Sequence, residues 1–159
     1  MPKDNSVKIL FRTFSEILED ETAETIPAEI VDSEKGYYKL DGPPFYIPKV
    51  TSGDVVWAEF KASEGVLTYR KTIQFSGNST IHVIIMADGF DVDVIREIFE
   101  QLGCKSEKIN KYFALDIPGE TNYLPVKQKL DELQKSGALD YAESCLSDRH
   151  QYKDYFFSF

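Results

Sequence analysis

The sequence predicts an α+β protein in two parts, a strand-rich N-terminal part and a part that mixes helices with strands. Three observations favour this class. Short runs of alternating apolar and polar residues continue to Gln74. After Gly77, two segments with apolar residues at helical spacing alternate with strand-like runs. Hydrophobic residues make up 42% of the 159 residues, which is enough for a buried core.

The N-terminal part contains a single strand and two hairpins. In "VKILFRTF", alternation places Val7, Ile9 and Phe11 on one face. "IPAEIVDSEKGYYKLDG" and "VVWAEFKASEGVLTYRKTIQF" are hairpins with turns at 33–36 and 63–65. The proline-rich "PPFYIPKVTSGD" is a loop, because proline donates no ladder hydrogen bond. Five short strands predict a small SH3-like barrel or a curved sheet over residues 1–77.

The C-terminal part follows the order β-α-β-β-α-β. The strands are "TIHVIIMA", "CKSEKI", "YFALDIP" and "LDYAESCL", and the helices are "FDVDVIREIFEQLG" and "NYLPVKQKLDELQKSG". Asp91 and Asn122 are the expected helix N-caps. This order predicts a ferredoxin-like unit over residues 78–148 with both helices on one face of the sheet, followed by an aromatic tail at residues 149–159.

Composition excludes several classes of function. Aspartate and glutamate total 27 against 18 lysine and arginine residues, so the charge of −9 disfavours nucleic acid as a partner. The sequence has neither an apolar leader nor the ~18 apolar residues of a membrane span, so we expect a cytoplasmic protein with no membrane partner. No cysteine or histidine cluster has the spacing of metal ligands, and we expect no metal and no cofactor.

The two cysteines are expected to be free thiols. Cys104 begins the second strand of the predicted sheet and Cys145 ends the fourth, which places them on opposite sheet edges. Three strand spacings of ~4.8 Å separate those edges, whereas a disulfide requires Cα atoms within ~7 Å.

One polar cluster invites a catalytic interpretation. Strand alternation places His82 and Asp116 on the sheet face away from the helices, with Ser76 and Ser79 just upstream of the histidine. Together they resemble a Ser-His-Asp triad. A G-x-S-x-G elbow and a glycine-rich oxyanion loop are both missing from the sequence. We therefore expect His82 to be a half-buried sheet residue paired with a carboxylate or hydroxyl, and we assign no catalytic residue.

Acidic and aromatic residues are the candidates for binding a protein partner. An acidic run between residues 16 and 24 is typical of a solvated loop, and alternatively forms a surface for a basic partner. "ADGFDVD" resembles a calcium loop but lacks its bidentate glutamate, so a solvated helix start is favoured. Trp57 is expected in the core or in interdomain packing, or alternatively in binding. The candidate partner-binding residues are Glu16, Glu19, Asp20, Glu21, Glu24, Asp88, Asp91, Asp93, Trp57, Tyr155, Phe156 and Phe157.

The sheet face without helices carries apolar residues that need a cover. Ile84 and Met86 share that face with His82, according to the same alternation. The barrel, the aromatic tail or a second protein could cover them.

Five segments together resemble a bacterial family, domain-of-unknown-function family 4265, over residues 8–148. They are "GYYKLDGPPFYIPKVTSGDVVWAEF", "GVLTYRKTIQFSGNSTIHV", "LGCKSE", "ALDIPGETNYLPVKQKLDE" and "GALDYAESCL". Members similar to this chain carry histidine at the position of Asn78 and tryptophan near Pro27, so this chain departs from the family pattern at both places. The resemblance implies a bacterial cytoplasmic protein with no established activity, and an immunity role beside a toxin by association.

Three hypotheses follow for the function. The first is a non-enzymatic binding protein, most concretely an immunity protein that occludes a basic toxin domain. The second is a module that senses a small molecule at a sheet edge or dimer interface. The third is a hydrolase that uses His82, Asp116 and a serine.

Overall fold

The computed structural model describes residues 6–15 and 20–151, and shows an α+β protein with nine strands and two α-helices in that part of the chain. The chain divides into two compact units, Met1–Ser76 and Gly77–Phe159. Each unit has its own cluster of buried apolar side chains.

The first unit is a curved sheet of five strands that closes on itself. The strands are β1 (Ser6–Ser15), β2 (Asp20–Asp32), β3 (Tyr37–Leu40), β4 (Val55–Lys61) and β5 (Val66–Gln74). Neighbouring strands pair antiparallel in chain order, and a short parallel pairing of β1 with β5 closes the ring. Inward-facing side chains such as Ile9, Phe11 and Val56 fill the interior.

The loop expected for the acidic run was wrong from Asp20 onward, and so was the placement of Trp57 in the core. The acidic residues from Asp20 to Glu24 belong to strand β2 and not to a loop, because they continue the antiparallel pairing with β1 as far as Ser15↔Asp20. Trp57 lies outside the core cluster, because the buried residues of β4 are its neighbours Val56 and Ala58. The side chain of Trp57 is half-buried on the outer face of the ring.

The second unit contains the other four strands and both helices. Its elements are β6 (Ser79–Ile85), α1 (Val92–Gln101), β7 (Lys105–Ile109), β8 (Tyr112–Ile117), α2 (Tyr123–Lys135) and β9 (Leu139–Cys145). The strand order is β7-β8-β6-β9, with every pairing antiparallel. A 3₁₀ turn, Asp148–His150, follows β9.

Both helices pack against the same face of the second sheet. Ile95 and Phe99 from α1 and Val126 and Leu130 from α2 join one buried cluster with strand residues such as Val83. The helix N-caps are as predicted, since Asp91 accepts from the amide of Asp93 and Asn122 accepts from that of Leu124. The opposite face of the sheet carries the alternate residues of each strand and is called the helix-free face below.

Candidate functional site

A row of apolar side chains crosses the helix-free face. Ile109, Tyr112 and Ile84 lie directly opposite one another on β7, β8 and β6. Met86 follows two residues after Ile84. Ile84 is 44% exposed, Met86 62% and Ile109 41%. These four residues, the apolar row, place neighbouring hydrophobic side chains in water, an arrangement that often marks a contact surface.

His82 lies beside the apolar row and pairs with a serine that sequence reasoning did not identify. Its Nδ1 is 2.7 Å from Ser144 Oγ on β9, and its ring lies 5.6 Å from that of Tyr112. His82 is only 8% exposed. The expectation of a sheet histidine paired with a hydroxyl is thus confirmed, with deeper burial than predicted. Ser144 lies 62 residues from His82 in the chain, so only the strand register could have found it.

Neither predicted serine of the polar cluster lies beside His82, whereas Asp116 shares the sheet face of His82. Ser79 shares the strand parity of Ile81, so it faces the helices and hydrogen-bonds to His150. Ser76 belongs to the first unit, where its amide donates to the buried Asp54 and its hydroxyl donates to Ser52 O. Asp116 lies opposite Thr80 in the register, and His82 lies opposite Ala114. The serine that pairs with His82 is Ser144, and neither predicted serine takes that position.

A second buried pair joins Ser79 to His150. Ser79 Oγ is 2.6 Å from His150 Nδ1, and both residues are fully buried. His150 Nε2 lies 3.1 Å from the carbonyl oxygen of Pro118, and the amide of Ser147 donates to Ser79 Oγ at 2.8 Å. Because Ser79 is fully buried, a substrate could not reach its hydroxyl. The pair is therefore structural, and its hydrogen bonds hold the C-terminal turn in place.

A half-buried network links α2 to β9. Lys127 Nζ donates to Tyr141 Oη at 2.7 Å, and Tyr141 donates to Asp131 at 2.5 Å. Tyr123 donates to Glu143 at 2.5 Å, and Lys127 also forms an ion pair with Glu143. Burial and the bond to Asp131 raise the pKa of Tyr141 to about 12. Burial opposes the charge of Lys127, but its bond to Tyr141 and the charge of Glu143 raise its pKa overall, so the lysine stays protonated and is a poor nucleophile.

The acidic residues of β2 are committed to contacts within the first unit. The Glu24 carboxylate accepts backbone N–H groups from Phe45, Tyr46 and Ile47 at 3.0, 2.8 and 2.8 Å. Glu21 forms an ion pair with Arg12, and Asp20 accepts from the amide of Glu21. Glu16 and Glu19 lie outside the described residues. Glu24 is therefore a structural residue that holds the proline-rich loop.

The second acidic group is also engaged. Asp93 pairs with Arg96 and Lys108 at 2.9 and 2.8 Å, and these two cations lower its pKa. Asp88 pairs with Lys111 at 3.1 Å, and Asp91 caps helix α1. This segment is a solvated helix start, as predicted. Its carboxylates cap helix α1 and form ion pairs with neighbouring lysine and arginine side chains.

The predicted aromatic binding residues are only partly described. Trp57 lies opposite Tyr37 on the neighbouring strand, and both are half-buried. Tyr155, Phe156 and Phe157 lie outside the described residues, so their role in binding stays a prediction.

Both cysteines are free thiols, as predicted, and β7 and β9 are the sheet edges. Burial, together with the charge of Asp116, raises the pKa of Cys104 to about 12, which leaves it unreactive at neutral pH. Within residues 6–15 and 20–151, no group of three or more histidine, cysteine, aspartate or glutamate side chains is arranged to hold a metal ion. None of the helices in those residues is long and apolar enough to cross a membrane.

These features define a class, an α+β protein whose second sheet presents an exposed apolar row beside a buried histidine. The chain belongs to the family described as "Domain of unknown function (DUF4265)", whose model matches residues 24–141. The resemblance seen in the sequence is thereby confirmed, over a shorter range than predicted.

Comparison with other proteins adds information on the fold. The structure is similar to one described as "Novel crystal structure of a hypothetical protein from Neisseria gonorrhoeae", with a TM-score of 0.77 and 22% sequence identity. The match covers 89% of this chain and 96% of that chain. No curated protein matches the sequence significantly. The matched family and structure carry no enzymatic description.

Proposed function

We propose that this protein is a non-enzymatic binding protein whose contact surface is the apolar row. The observation that carries the proposal is the exposure of Ile84, Met86 and Ile109 in a row that crosses one sheet face, with Tyr112 between Ile84 and Ile109. Antiparallel sheets commonly have one solvated face that is polar, so an apolar row in water costs free energy that a partner would recover. The most concrete partner is a bacterial toxin domain, which the protein would neutralise by covering it in the cytoplasm.

The charge of the protein supports a basic partner. The net charge of −9 raises the rate of encounter with a positively charged surface. The individual acidic groups give weaker support, because Glu21, Asp88 and Asp93 already pair with cations of this chain. Steering would therefore come from the field of the whole protein, and the apolar row would supply the close contact.

We assign the first unit to the SH3-like barrels and the second to the ferredoxin-like sheets. A closed ring of five strands supports the first assignment, and the strand order β7-β8-β6-β9 with two helices on one face supports the second. Ferredoxin-like sheets host many functions, so the assignment by itself does not identify the partner.

Co-expression tests the immunity function. The candidate toxin is the protein encoded by the adjacent gene, immediately upstream. It would be expressed alone, with the wild type, and with the double variant Ile84→Glu, Met86→Glu. We expect the wild type to restore growth and the double variant to fail, because two buried carboxylates would oppose the contact. Val31→Glu is the matched control, since Val31 is an exposed apolar residue of the first unit. Rescue by the double variant at the wild-type level would contradict the proposed surface.

A small-molecule sensor is the second candidate, and the His82–Ser144 pair favours it. The pair places hydrogen-bonding atoms next to apolar side chains, and its histidine is largely shielded from water, with 8% exposure. Screening a metabolite collection by the thermal shift of the wild type and of Ser144→Ala separates the two functions. A compound that stabilises only the wild type would favour sensing, and the absence of any such compound would favour a protein partner.

A further inference from the structure

The C-terminal turn is held by hydrogen bonds that run through one buried imidazole. His150 lies in the 3₁₀ turn Asp148–His150 and is fully buried. Its two ring nitrogens contact two different segments, Ser79 at the start of β6 and Pro118 in the loop after β8. The imidazole therefore ties the end of the described chain to the middle of the second unit.

The partners of His150 suit a neutral imidazole that carries its proton on Nε2. A backbone carbonyl only accepts hydrogen bonds, so Nε2 carries a proton and donates to Pro118 O. In the neutral imidazole with its proton on Nε2, Nδ1 is an acceptor, so the Ser79 hydroxyl donates to it while Ser79 Oγ accepts the amide of Ser147. Every donor and acceptor in this chain of bonds is satisfied when the imidazole is neutral.

Within the described residues, the groups that contact the His150 ring are a hydroxyl, a backbone carbonyl and an aromatic ring. From α2, the ring of Tyr123 lies 5.7 Å away, and its hydroxyl is bonded to Glu143 of β9. The turn itself contributes the charged Asp148 and Arg149. From β6 the ring meets Ser79 Oγ, and from the loop after β8 it meets backbone groups of Pro118 and Thr121.

We propose that His150 makes the C-terminal turn an acid-sensitive latch, closed when the imidazole is neutral and opened when it is protonated. When Nδ1 is protonated, its N–H and the Ser79 O–H would point at each other, so the hydroxyl could no longer donate to the ring. Because Ser79 is fully buried, its hydroxyl hydrogen would need a new acceptor without water. The latch does not depend on the proposed function. In the sequence, the turn ends five positions before Tyr155, the first of the tail aromatic residues predicted to bind a partner.

The direction of the pH effect follows from burial. Burial lowers the pKa of His150, and the charge of Arg149 lowers it further against the opposing bonds to Pro118 and Thr121. The open turn has an ordinary histidine with a pKa of about 6.5. The closed latch is thus favoured above about pH 6.5 and loses stability as the pH falls below that value, because the open form binds the proton more tightly.

Amide hydrogen exchange in the full chain measures the latch directly. The amides of Ser147, His150 and Gln151 donate to Ser79 Oγ, Ser147 O and Asp148 O, so their exchange reports opening. After correction for intrinsic rates, we expect their protection in the wild type to fall between about pH 7.5 and about pH 5, by a factor approaching 30 at most. His150→Gln keeps an N–H for Pro118 and does not titrate, so its protection should be independent of pH.

The other histidine provides the control. The chain has only two histidines, and His82→Gln should leave the pH dependence of these three amides unchanged. Unchanged protection in wild type, or an equal fall in His150→Gln, would overturn the latch. If His150→Gln leaves the turn unprotected at every pH, the NMR titration of the wild-type imidazole decides. A His150 pKa below that of an unfolded histidine supports the latch, and an equal or higher value refutes it.

Discussion

Glu24 illustrates how the role of a charged residue depends on the backbone around it. In the sequence it is one acid of a run that is typical of a solvated loop, with a partner surface as the alternative. In the structure its carboxylate accepts three consecutive backbone N–H groups of the loop after β3. Consecutive amides in a proline-containing loop have no ladder partners, so a carboxylate that satisfies them stabilises the loop.

Replacing Glu24 tests this role. In Glu24→Gln the amide NH₂ would oppose one of the three donors, so we expect the first unit to lose about 1–3 kcal/mol of stability. Trp57 is the only tryptophan, so denaturant unfolding followed by its fluorescence reports this unit. Glu34→Gln is the matched control, because Glu34 has an exposed side chain in the turn between β2 and β3. Equal stability of the two variants would contradict the structural role.

The roles of some residues could be predicted from their sequence neighbours, whereas the roles of others depend on partners far away in the chain. The caps Asp91 and Asn122 were predictable because a cap bonds to an amide two residues away. The pairs Ser79–His150 and His82–Ser144 join residues 71 and 62 positions apart. Such pairs depend on the strand register and on the path of the chain after β9, and neither is encoded by local spacing.

At the scale of elements, two hairpin turns require glycine for different reasons: one for its backbone conformation alone, the other also because neighbouring atoms leave no room for a side chain. Gly36 and Gly65 both have positive φ, at +76° and +67°, in turns of the first unit. A Cβ on Gly36 would lie 2.8 Å from Ala58 O, whereas a Cβ on Gly65 would meet nothing within 4 Å. The first turn therefore packs against β4, and the second projects into open space.

Alanine at each position measures the two effects. Gly65→Ala should cost roughly 1 kcal/mol, because only the left-handed conformation is penalised. Gly36→Ala should cost a further 1–3 kcal/mol, about the range for overpacking a well-packed site. The same tryptophan fluorescence assay gives both values. A Gly36→Ala variant no less stable than Gly65→Ala would contradict the packing of this turn against β4.

The network between α2 and β9 makes the second unit sensitive to alkaline pH. The raised pKa of Tyr141, about 12, means that the folded state holds a proton that the unfolded state loses near pH 10. Stability is therefore complete below about pH 10 and falls as the pH rises towards 12. The slope should be less than about 1.4 kcal/mol per pH unit for this group, because its hydroxyl is partly exposed and screened.

Removing the hydroxyl should flatten this dependence. Both α-helices belong to the second unit, so circular dichroism at the helix band follows its unfolding. We expect Tyr141→Phe to lose less stability than the wild type between about pH 9 and about pH 11. Tyr46→Phe, which alters an exposed tyrosine of the first unit, should behave like the wild type. Identical slopes for wild type and Tyr141→Phe would contradict the assignment of the alkaline loss to this network.

Element types were more predictable than their limits. The periodicity of apolar residues identified both helices and the nine strands of the described part of the chain, because burial on one face imposes that period. It did not predict that β2 starts at Asp20, since a cross-strand partner on β1 can hold acidic residues in a strand against their propensity. Neither did it place Trp57 outside the core, because alternation gives two faces without saying which is inside.

At the scale of the whole molecule, charge and apolar surface have separate roles in the proposed binding. The net charge of −9 acts over a Debye length of about 10 Å at 0.1 M salt, whereas the apolar row acts only on contact. We expect the association rate with the adjacent-gene protein to fall steeply with salt. Neutralising Asp88, Asp91 and Asp93 together removes three negative charges from that field, so it should lower the rate modestly, without abolishing its dependence on salt. A salt-independent rate in a stopped-flow experiment would remove the electrostatic contribution.

The most direct test of the binding surface is the dissociation constant of the adjacent-gene protein for wild type and for Ile84→Glu, Met86→Glu, measured by calorimetry with Val31→Glu alongside. We expect tight binding by the wild type and by Val31→Glu, and at least about a hundredfold weaker binding by the double variant, since burying charge at a contact costs several kcal/mol. Equal dissociation constants for all three proteins, or no binding by the wild type, would contradict it.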